Sequence, residues 1–436
     1  MKNSGVEWIG EIPDDWEVRK VKHAFIRKNE KAMQDNPVVL SLARSGVRER
    51  DISNNEGQLA ESYFNYNPVD IDDLLLNPMD LYSGANCSIS KVKGVISPAY
   101  VNLRAKKNVS PFFYDYYFKV QYWLMAFFAH GNGVSFENRW TLNNETLKNY
   151  PIVYPNFETQ QKIAAYLDSK CSKIEETIQN QQQVIEKLKA YKQSLITEAV
   201  TGKIKIQNGK ACGTYEEYKD SGVEWIGEIP NGWIVQKLNR FIKTVKGFAF
   251  SVNDFEDEGL PIVKVSDIKN GKIQVGDSFL NEKRRNDFQK VLLHTNDILM
   301  TTVGSTPDVI NSAVGQLAIV TEDFNNAFLN QNAVKLYSEN NNNIYIYYCL
   351  CMKAFREHLN LIAHGTANQA SLTLKDILAF SIQLPSKEEQ KSIAEYLNKK
   401  CTTIDTTIEQ KQKLIEKLTE YKKSLIYECV TGKKAI

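Results

Sequence analysis

The sequence is short of the residues that mark a metal centre, an ATP motor or a membrane span. It has five histidines, and its seven cysteines form no CxxC pair, so the ligand spacing of a structural zinc site is missing. No GxxxxGK[ST] loop and no run of 18 apolar residues occurs, and the first residues lack the apolar stretch of a signal peptide. We expect a reduced, cytoplasmic protein with no membrane contact and with no catalytic site, metal or cofactor of its own.

The charge balance says little about a ligand. The 436 residues carry a net charge of only +2, so a nucleic-acid surface would require basic residues to cluster locally. Hydrophobic residues make up 42% and charged residues 24% of the chain, which is the balance of a globular protein. At roughly 150 residues a domain, the length predicts two or three domains.

The chain contains an internal duplication. Residues Ser4–Pro13 and Ser221–Pro230 share the same ten letters, SGVEWIGEIP, and a tryptophan follows three residues later in each copy. Residues Pro155–Lys203 align without gaps to Pro385–Lys433, with 27 of 49 positions identical. The first block repeats at an offset of 217 and the second at 230, so the stretch between them is 13 residues longer in the second half. Each half therefore has a shared start, a divergent middle and a shared end.

The shared ends have the pattern of long helices. Residues from about 158 to 200 contain neither Gly nor Pro, and Gly202 and Gly432 follow the last periodic residues, where they suit a helix end. A helix of some 40 residues is roughly 60 Å long, so we expect the two copies to pack side by side as a strut. The apolar and aromatic stripe consists of Ile163, Leu167, Ile174, Ile178, Ile185, Leu188 and Tyr191, repeated as Ile393, Leu397, Ile404, Ile408, Ile415, Leu418 and Tyr421.

The stripe allows two interpretations. A coiled coil within the chain could simply separate two domains. However, Val184, Leu414 and the two tyrosines make the stripe wider than a two-stranded seam, which favours one or two additional partner helices. Cys171 and Cys401 occupy equivalent positions on the helices and are interpreted as small packing residues.

The divergent middles, residues 17–154 and 234–384, are predicted to be mixed α/β domains. Strand patterns occupy Pro37–Leu42, Val95–Ile96, Leu260–Val265 and Ile298–Val303, and helical patterns occupy Pro111–Ala129 and Ile344–Ala363. Both helical patterns end in Ala-His-Gly, so the middles share a plan. We interpret the two histidines, His130 and His364, as capping or packing residues.

Polar and basic residues of the predicted loops are the candidates for DNA contact. Arg or Lys pairs with guanine and Asn or Gln with adenine in the major groove, while other polar groups hold phosphates. Each candidate taken alone also fits an ordinary solvated surface group. The candidates are Arg44, Arg48, Arg50, Asn86, Lys91 and Lys93 in the first middle, and Lys264, Lys269, Arg284, Arg285, Thr302, Ser305, Asn368 and Gln369 in the second.

Three duplicated motifs carry a family resemblance. They are the VEWIGEIP start with its tryptophan, the E-x-Q-x-x-I-A-x-Y-L-(D/N) entry to each long helix, and the YK-x-SLI-x-E-x-VTGK exit. Together with two divergent middles, from Trp8 to Gly432, the chain resembles the specificity subunit of type I restriction–modification enzymes. The resemblance implies two globular target-recognition domains joined by two long antiparallel coiled-coil helices in an internal pseudo-two-fold repeat. It predicts domain boundaries at 1–155, 156–203 (first spacer helix), 204–219 (linker), 220–385 and 386–436 (second spacer helix).

The resemblance also implies a function and partners. Each middle would recognise one half of a bipartite site in double-stranded DNA, and the helices would set the spacing and bind two modification subunits. Those partners would carry S-adenosylmethionine and methylate adenine N6, and two restriction subunits, which use ATP and Mg, could join them. Because the middles differ, we expect an asymmetric target. The alternatives are a scaffold with two ligand-binding domains on a coiled-coil strut and, third, a fused restriction enzyme with an unrecognised nuclease.

Overall fold

The computed structural model describes residues 1–52, 60, 62–83, 86–133, 140–274, 276–304, 314–366 and 369–436. The chain divides into two compact units. The first unit comprises Met1–Gln182 with Gln412–Ile436, and the second comprises Gln183–Lys411. The division falls inside both long helices, so each unit contains a part of each helix. The domain boundaries given by the sequence therefore stay a prediction.

The first unit is built on short antiparallel strands. Its helices are α1 (Val21–Ala24), α2 (Pro111–Trp123), α3 (Ala126–Ala129), α4 (Asn144–Asn149) and the first part of α5 (Phe157–Val200). Its strands are β1 (Lys2–Asn3), β2 (Glu11–Ile12), β3 (Glu17–Lys20), β4 (Phe25–Lys28), β5 (Leu40–Ala43), β6 (Gly46–Glu49), β7 (Asn67–Val69), β8 (Leu74–Leu76), β9 (Cys87–Ile89), β10 (Gly94–Ile96), β11 (Val101–Ala105) and β12 (Pro151–Tyr154).

A four-stranded sheet in the order β4-β11-β8-β9 forms the centre of the first unit. Helix α2 packs against this sheet and contributes a run of aromatic side chains to the core. Among them Phe113, Tyr114 and Tyr117 are fully buried. Trp16 of the duplicated start and the apolar residues of α5 belong to the same core. Ser110 begins α2 as its N-cap, with its side chain accepting a hydrogen bond from the Phe113 amide.

The second unit continues the numbering. Its helices are the last part of α5, then α6 (Asn343–Leu350), α7 (Lys353–Ile362), α8 (Leu374–Ile377) and the first part of α9 (Lys387–Val430). Its strands are β13 (Ile206–Gln207), β14 (Lys210–Ala211), β15 (Tyr218–Asp220), β16 (Glu228–Pro230), β17 (Ile234–Lys237), β18 (Lys243–Lys246), β19 (Leu260–Val263), β20 (Ile268–Lys269), β21 (Lys272–Ile273), β22 (Phe279–Leu280), β23 (Ile298–Thr301), β24 (Val303–Gly304), β25 (Leu317–Ile319), β26 (Phe328–Leu329), β27 (Ala333–Tyr337), β28 (His364–Thr366), β29 (Gln369–Ser371) and β30 (Ser381–Leu384).

The two units repeat one plan. The sheet β18-β27-β23-β25 has the order of β4-β11-β8-β9, and the pair β17-β30 corresponds to β3-β12. In the first unit the Tyr114 hydroxyl donates to the Val153 carbonyl at 2.9 Å, and in the second the Tyr345 hydroxyl donates to the Gln383 carbonyl at 2.9 Å. The prediction that both middles are mixed helix-and-strand domains with a common plan is therefore confirmed.

The two long helices run antiparallel within each unit. In the first unit the start of α5 shares a core with the end of α9, and in the second the end of α5 shares a core with the start of α9. Glu175 pairs with Lys422 in the first unit, and Lys192 pairs with Asp405 at 2.7 Å in the second. Adding the offset of 230 to Glu175 gives Asp405, and adding it to Lys192 gives Lys422. The two ion pairs are therefore equivalent, and the duplication repeats this contact as well as the helices. The predicted long antiparallel helices are confirmed.

Each long helix ends at the glycine of its VTGK motif. Gly202 and Gly432 adopt φ of +74° and +72°, and the next amides, Lys203 and Lys433, donate back to Glu198 and Glu428 carbonyls at 2.9 and 2.8 Å. This is a Schellman arrangement, which favours glycine because other residues are strained at positive φ. The predicted helix ends are therefore confirmed.

Both helical patterns of the middles contain a break. The pattern Pro111–Ala129 is divided into α2 and α3 at Met125, which has a φ of +58°, and the pattern Ile344–Ala363 is divided into α6 and α7 at Cys351. A single helix in each place is therefore wrong. His130 ends α3, and its Nδ1 lies 2.8 Å from the Ala126 carbonyl, which agrees with its interpretation as a capping residue.

Candidate nucleic-acid interface

The first group of candidates lies on a hairpin. Arg44 is at the turn between β5 and β6, and Arg48 on β6 lies opposite Ser41 in the register. Arg50 follows β6, and its amide donates to the Val39 carbonyl at 2.8 Å. Arg44 and Arg48 are both exposed residues of this hairpin.

The remaining candidates of the first unit flank β9, against which this hairpin packs. Asn86 precedes β9, and the exposed Lys91 and Lys93 lie in the turn between β9 and β10. A Cβ placed on Gly46 of the hairpin would lie 3.3 Å from the Ser88 hydroxyl of β9. The structure therefore brings the six predicted residues of the first middle to one edge of the central sheet.

An acidic pair holds further basic side chains beside this edge. Asp73 is buried and accepts from Lys28 at 3.1 Å and from Arg104 at 2.9 Å. Hydrogen bonds from Arg104 first, and then from Lys28, lower the pKa of the Asp70 carboxyl to about 2. Lys93 lies 4.0 Å from Asp70, so part of its charge is balanced within the protein. The ion pairs join β4 and β11 to the residue before β8, so Lys28 and Arg104 have a structural role. The sequence did not predict this network.

The second unit repeats the buried carboxylate with another lysine. Asp297 is buried and lies 3.3 Å from Lys335 Nζ. The Asp70 amide donates to Asp73, and the His294 amide donates to Asp297, each at 2.8 Å and three residues apart. The signal available in the sequence was an Asp placed directly before a strand of three or four apolar residues in each middle.

Two candidates of the second unit are already engaged in ion pairs. Lys264 pairs with Asp277 at 2.7 Å, and Arg284 pairs with Asp254 at 2.6 Å. The Arg284 pairing lowers the pKa of Asp254 to about 2. These two cations are therefore better explained as structural groups than as free ligands for phosphate.

The other candidates of the second unit are dispersed. Lys269 on β20 is exposed, Arg285 donates to the Asn326 side chain, and the Thr302 hydroxyl donates to the Asn332 carbonyl at 3.0 Å. Ser305 and Asn368 lie outside the described residues, and only the backbone of Gln369 is described. Unlike those of the first unit, the candidates that the structure describes here lie on several different elements.

An exposed phenylalanine, missed by the sequence analysis, packs against Phe288, and the Arg284 guanidinium lies over the Phe288 ring. Phe248 is 43% exposed and packs against Phe250 and Phe288 at ring distances of 5.1 and 4.9 Å. The preceding residue is glycine because the backbones of Gly247 and Asn330 pass close together, and a Cβ on Gly247 would lie 1.9 Å from the Asn330 carbonyl oxygen. A rigid aromatic side chain of this kind can contact a base or a thymine methyl group.

Most residues of the predicted partner interface are covered by the chain itself. Ile185 and Ile415 are buried, and Ile174, Ile178, Leu188, Ile408 and Leu418 are half-buried. Packing within the chain also accounts for the residues of the two unit cores, which are Ile163, Leu167, Ile393, Leu397 and Ile404. Burial raises the pKa of the Cys171 and Cys401 thiols, as expected of packing residues.

Two of the predicted interface residues stay open to solvent. Tyr421 of the first unit is 56% exposed and Tyr191 of the second is 54% exposed. Leu414 and Val184 lie seven residues before them and are also exposed. Each unit thus presents an apolar residue and a tyrosine two helical turns apart, and a partner contact at these positions stays a prediction.

In the part of the chain that the structure describes, no three His, Cys, Asp or Glu side chains are grouped to hold a metal ion. No helix within the same residues is long and apolar enough to cross a membrane.

Comparison with known proteins gives consistent matches. The model of a family described as the type I restriction modification DNA specificity domain matches residues 13–189 and again residues 230–420. The MjaVIII type I restriction enzyme specificity subunit of Methanocaldococcus jannaschii is 26% identical, over 97% of this chain and 93% of that protein. The EcoBI specificity subunit of Escherichia coli is 24% identical, over 86% of this chain and 76% of that protein.

The fold is shared with a solved structure. It is a chain from work on complex assembly and conformational transition of the type I R-M system, with a TM-score of 0.68 and 14% identity. The similarity covers 96% of this chain and 98% of that one.

Proposed function

Because this chain belongs to the type I restriction modification DNA specificity family, we propose that it is the sequence-reading subunit of a type I restriction–modification complex. The observation that carries the proposal is the two-fold match of the family model to a chain whose two units share one plan. The units differ in the residues of their candidate interfaces, so they suit two unlike half-sites. The target is then asymmetric and bipartite, and the long helices act as the spacer between its halves.

The chain itself does no chemistry in this proposal. Two modification subunits bind S-adenosylmethionine and methylate adenine, and two restriction subunits, which use ATP and Mg, can join them. A base inside a duplex must be flipped out for methylation, and this subunit determines where that happens. Residues 1–155 and 220–385 are the recognition domains, and residues 156–203 and 386–436 are the spacer helices. The 204–219 segment links them, and the complex acts on cytoplasmic DNA.

Methylome sequencing tests this function. A host without other adenine methylases would express the modification subunit with and without this chain. We expect N6-methyladenine at one split, asymmetric motif, and only when the chain is present. Methylation that does not depend on the chain, or no methylation beside a verified active partner, would instead support the scaffold. DNA cleavage by the chain alone with a divalent metal would support the nuclease alternative.

The exposed tyrosines give a prediction for partner assembly. On the long helices each unit presents one exposed tyrosine, so we expect Tyr191→Ala and Tyr421→Ala each to weaken binding of one modification subunit by about 1–2 kcal/mol, or roughly 5- to 30-fold. In the double variant we expect the binding of both modification subunits to be weakened. Mass photometry at fixed concentration would count the subunits bound.

Tyr82→Ala is the control for this measurement, because Tyr82 is also 56% exposed but belongs to the segment Leu81–Ser83, where it packs on Phe128 at 6.0 Å, and not to a long helix. It should leave the assembly unchanged. Two modification subunits retained at wild-type affinity by the double variant would exclude the tyrosines from the interface.

A further inference from the structure

The duplicated start of each unit leads into a basic turn. In the first unit β3 ends at Lys20, and the Val21 amide donates to the Tyr150 carbonyl at 3.0 Å. In the second unit β17 ends at Lys237, and the Leu238 amide donates to the Phe380 carbonyl at 2.9 Å. Val21 and Leu238, the donors, are 217 residues apart, which is the offset of the duplicated start. Tyr150 and Phe380, the acceptors, are 230 residues apart, which is the offset of the duplicated end. The turns are therefore structurally equivalent, although few of their residues are identical.

Both turns keep a basic residue at the same two positions. Lys20 corresponds to Lys237, and His23 corresponds to Arg240; all four are exposed. Val21 and Leu238, one position after each lysine, are buried. Packing thus fixes the turns and leaves the basic side chains in solvent.

Positive charge is concentrated in these turns. Residues 17–28 contain five Lys or Arg and one Glu, and the equivalent residues 234–245 contain three Lys or Arg and no acid. The whole chain carries only +2. A local surplus of this size within a near-neutral chain is the electrostatic footprint of an anion-binding surface.

Several of these cations are already paired inside the protein. Arg19 pairs with Glu17 at 2.8 Å, Lys28 is buried against Asp73, and Lys243 pairs with Glu339 at 2.5 Å. Lys20 and His23 instead line a surface groove of about 700 Å³ in the first unit. The groove is bordered by Asn149, whose side-chain oxygen accepts from Lys22 at 2.9 Å. The equivalent exposed pair of the second unit is Lys237 and Arg240.

The repetition of the pair indicates what it binds. The residues proposed to read bases differ between the units, as they must for two unlike half-sites. The phosphate backbone is the part of the ligand that is the same at both half-sites, whatever their sequences. A pair of basic, hydrogen-bond-donating residues kept in both units therefore suits the backbone and carries no sequence information.

We propose that Lys20 with His23, and Lys237 with Arg240, hold DNA phosphates independently of sequence, one pair for each half-site. This inference rests on the proposed function and adds to it a division of labour. The turns of the shared start supply register and affinity, whereas the divergent loops supply base recognition.

The test is the salt dependence of DNA binding by the complex with its modification subunit. The variant is Lys20→Ala/Lys237→Ala, with Lys20→Arg/Lys237→Arg as the charge-preserving variant. Each lost phosphate contact should reduce the slope of log K against log salt by about 0.9 and weaken binding about tenfold at 0.1 M salt. For the double Ala variant, the slope of log K against log salt should therefore be smaller in magnitude by about 2, on specific and non-specific duplexes alike. The methylated motif should stay the same. The Arg variant should keep the wild-type slope.

Lys353→Ala is the matched control, because Lys353 is 82% exposed and is already paired with Glu357; its slope should not change. An unchanged slope in the Ala variant, with selective binding by the wild type, would overturn the inference and leave the function standing. Loss of the modification subunit from the Ala variant would overturn it in favour of an acidic protein surface as the ligand. Absence of selective binding by the wild-type complex would instead count against the proposed function.

Discussion

Exchange of residues 17–154 for the corresponding middle of another family member is expected to change one half of the methylated DNA motif and to leave the other half and the spacing unchanged. The first unit has its own core, formed by the central sheet, α2 and parts of the long helices. The second unit has separate cores. The apolar clusters of the two units are distinct, so we expect a middle that reads other bases to leave the second half-site unchanged.

The junctions of this exchange are favourable. Residues 17–20 pair with 151–154 in one two-stranded sheet, with Glu17 opposite Tyr154 and Lys20 opposite Pro151. Both ends of the exchanged segment thus move together, and no strand pair is divided between parents. Residues 234–237 pair with 381–384 in the same manner, so the exchange of 234–384 is a reciprocal experiment of equal quality.

The expected effect is large. Each wrong base pair costs about 1–3 kcal/mol, so two wrong pairs in a half-site reduce binding of the original site by at least about thirtyfold. Methylome sequencing of both hybrids would give the new motifs directly. Each hybrid should alter a different half. Alteration of both halves by one exchange, or a changed spacing with intact long helices, would contradict the modular assignment.

The parts of the fold that could be predicted from the sequence are those encoded by the duplicated segments. The 44-residue helices α5 and α9, and their glycine ends, follow from a duplicated block without internal Gly or Pro. The breaks in the shorter helical patterns could not be predicted in this way. Neither Met125 nor Cys351 is a helix breaker, and the immediate neighbours of both are apolar. At Cys351 the carbonyl accepts from the Gln193 side chain at 3.3 Å, so a distant helix satisfies the group that the break exposes.

The residue types of the candidate site could be predicted from the sequence, but the ion pairs in which some of them are held could not. Arg44, Arg48 and Lys91 are exposed at one sheet edge, as their loop positions suggested. Lys264 and Arg284 looked equivalent in the sequence, yet carboxylates 13 and 30 residues away neutralise them. Only the tertiary fold brings such partners together, and exposure of a single Phe248 within a cluster of rings is likewise set by packing.

Gly432→Ala is expected to lower the free energy of unfolding of the first unit by about 2–4 kcal/mol. A Cβ at the Gly432 φ of +72° is strained by about 1 kcal/mol. The new methyl group would also lie 2.3 Å from Pro13 Cδ, and overpacking of this kind costs about 1–3 kcal/mol. Gly202→Ala should do the same in the second unit, since its Cβ would lie 2.5 Å from Pro230 Cδ.

Gly10→Ala separates strain from steric overlap. Gly10 has a φ of +69°, but a Cβ there would have no atom within 4 Å, so its cost should be about 1 kcal/mol alone. Calorimetry would follow the transitions of the two units, with Gly432→Ala shifting that of the first unit and Gly202→Ala that of the second. Equal losses for Gly432→Ala and Gly10→Ala would show that contact with the proline contributes nothing.

The same contact explains why two motifs far apart in the sequence are duplicated together. Gly432 packs on Pro13 and Trp16 in the first unit, and Gly202 packs on Pro230 and Trp233 in the second. The VTGK end and the EIP-x-x-W start are thus the two sides of one contact, made once between the beginning and end of the chain and once near its middle. A change in one motif alone leaves the other without its partner. We therefore expect Pro13→Ala, which removes the ring that Gly432→Ala would strike, to recover about half of the stability lost by Gly432→Ala in a double variant.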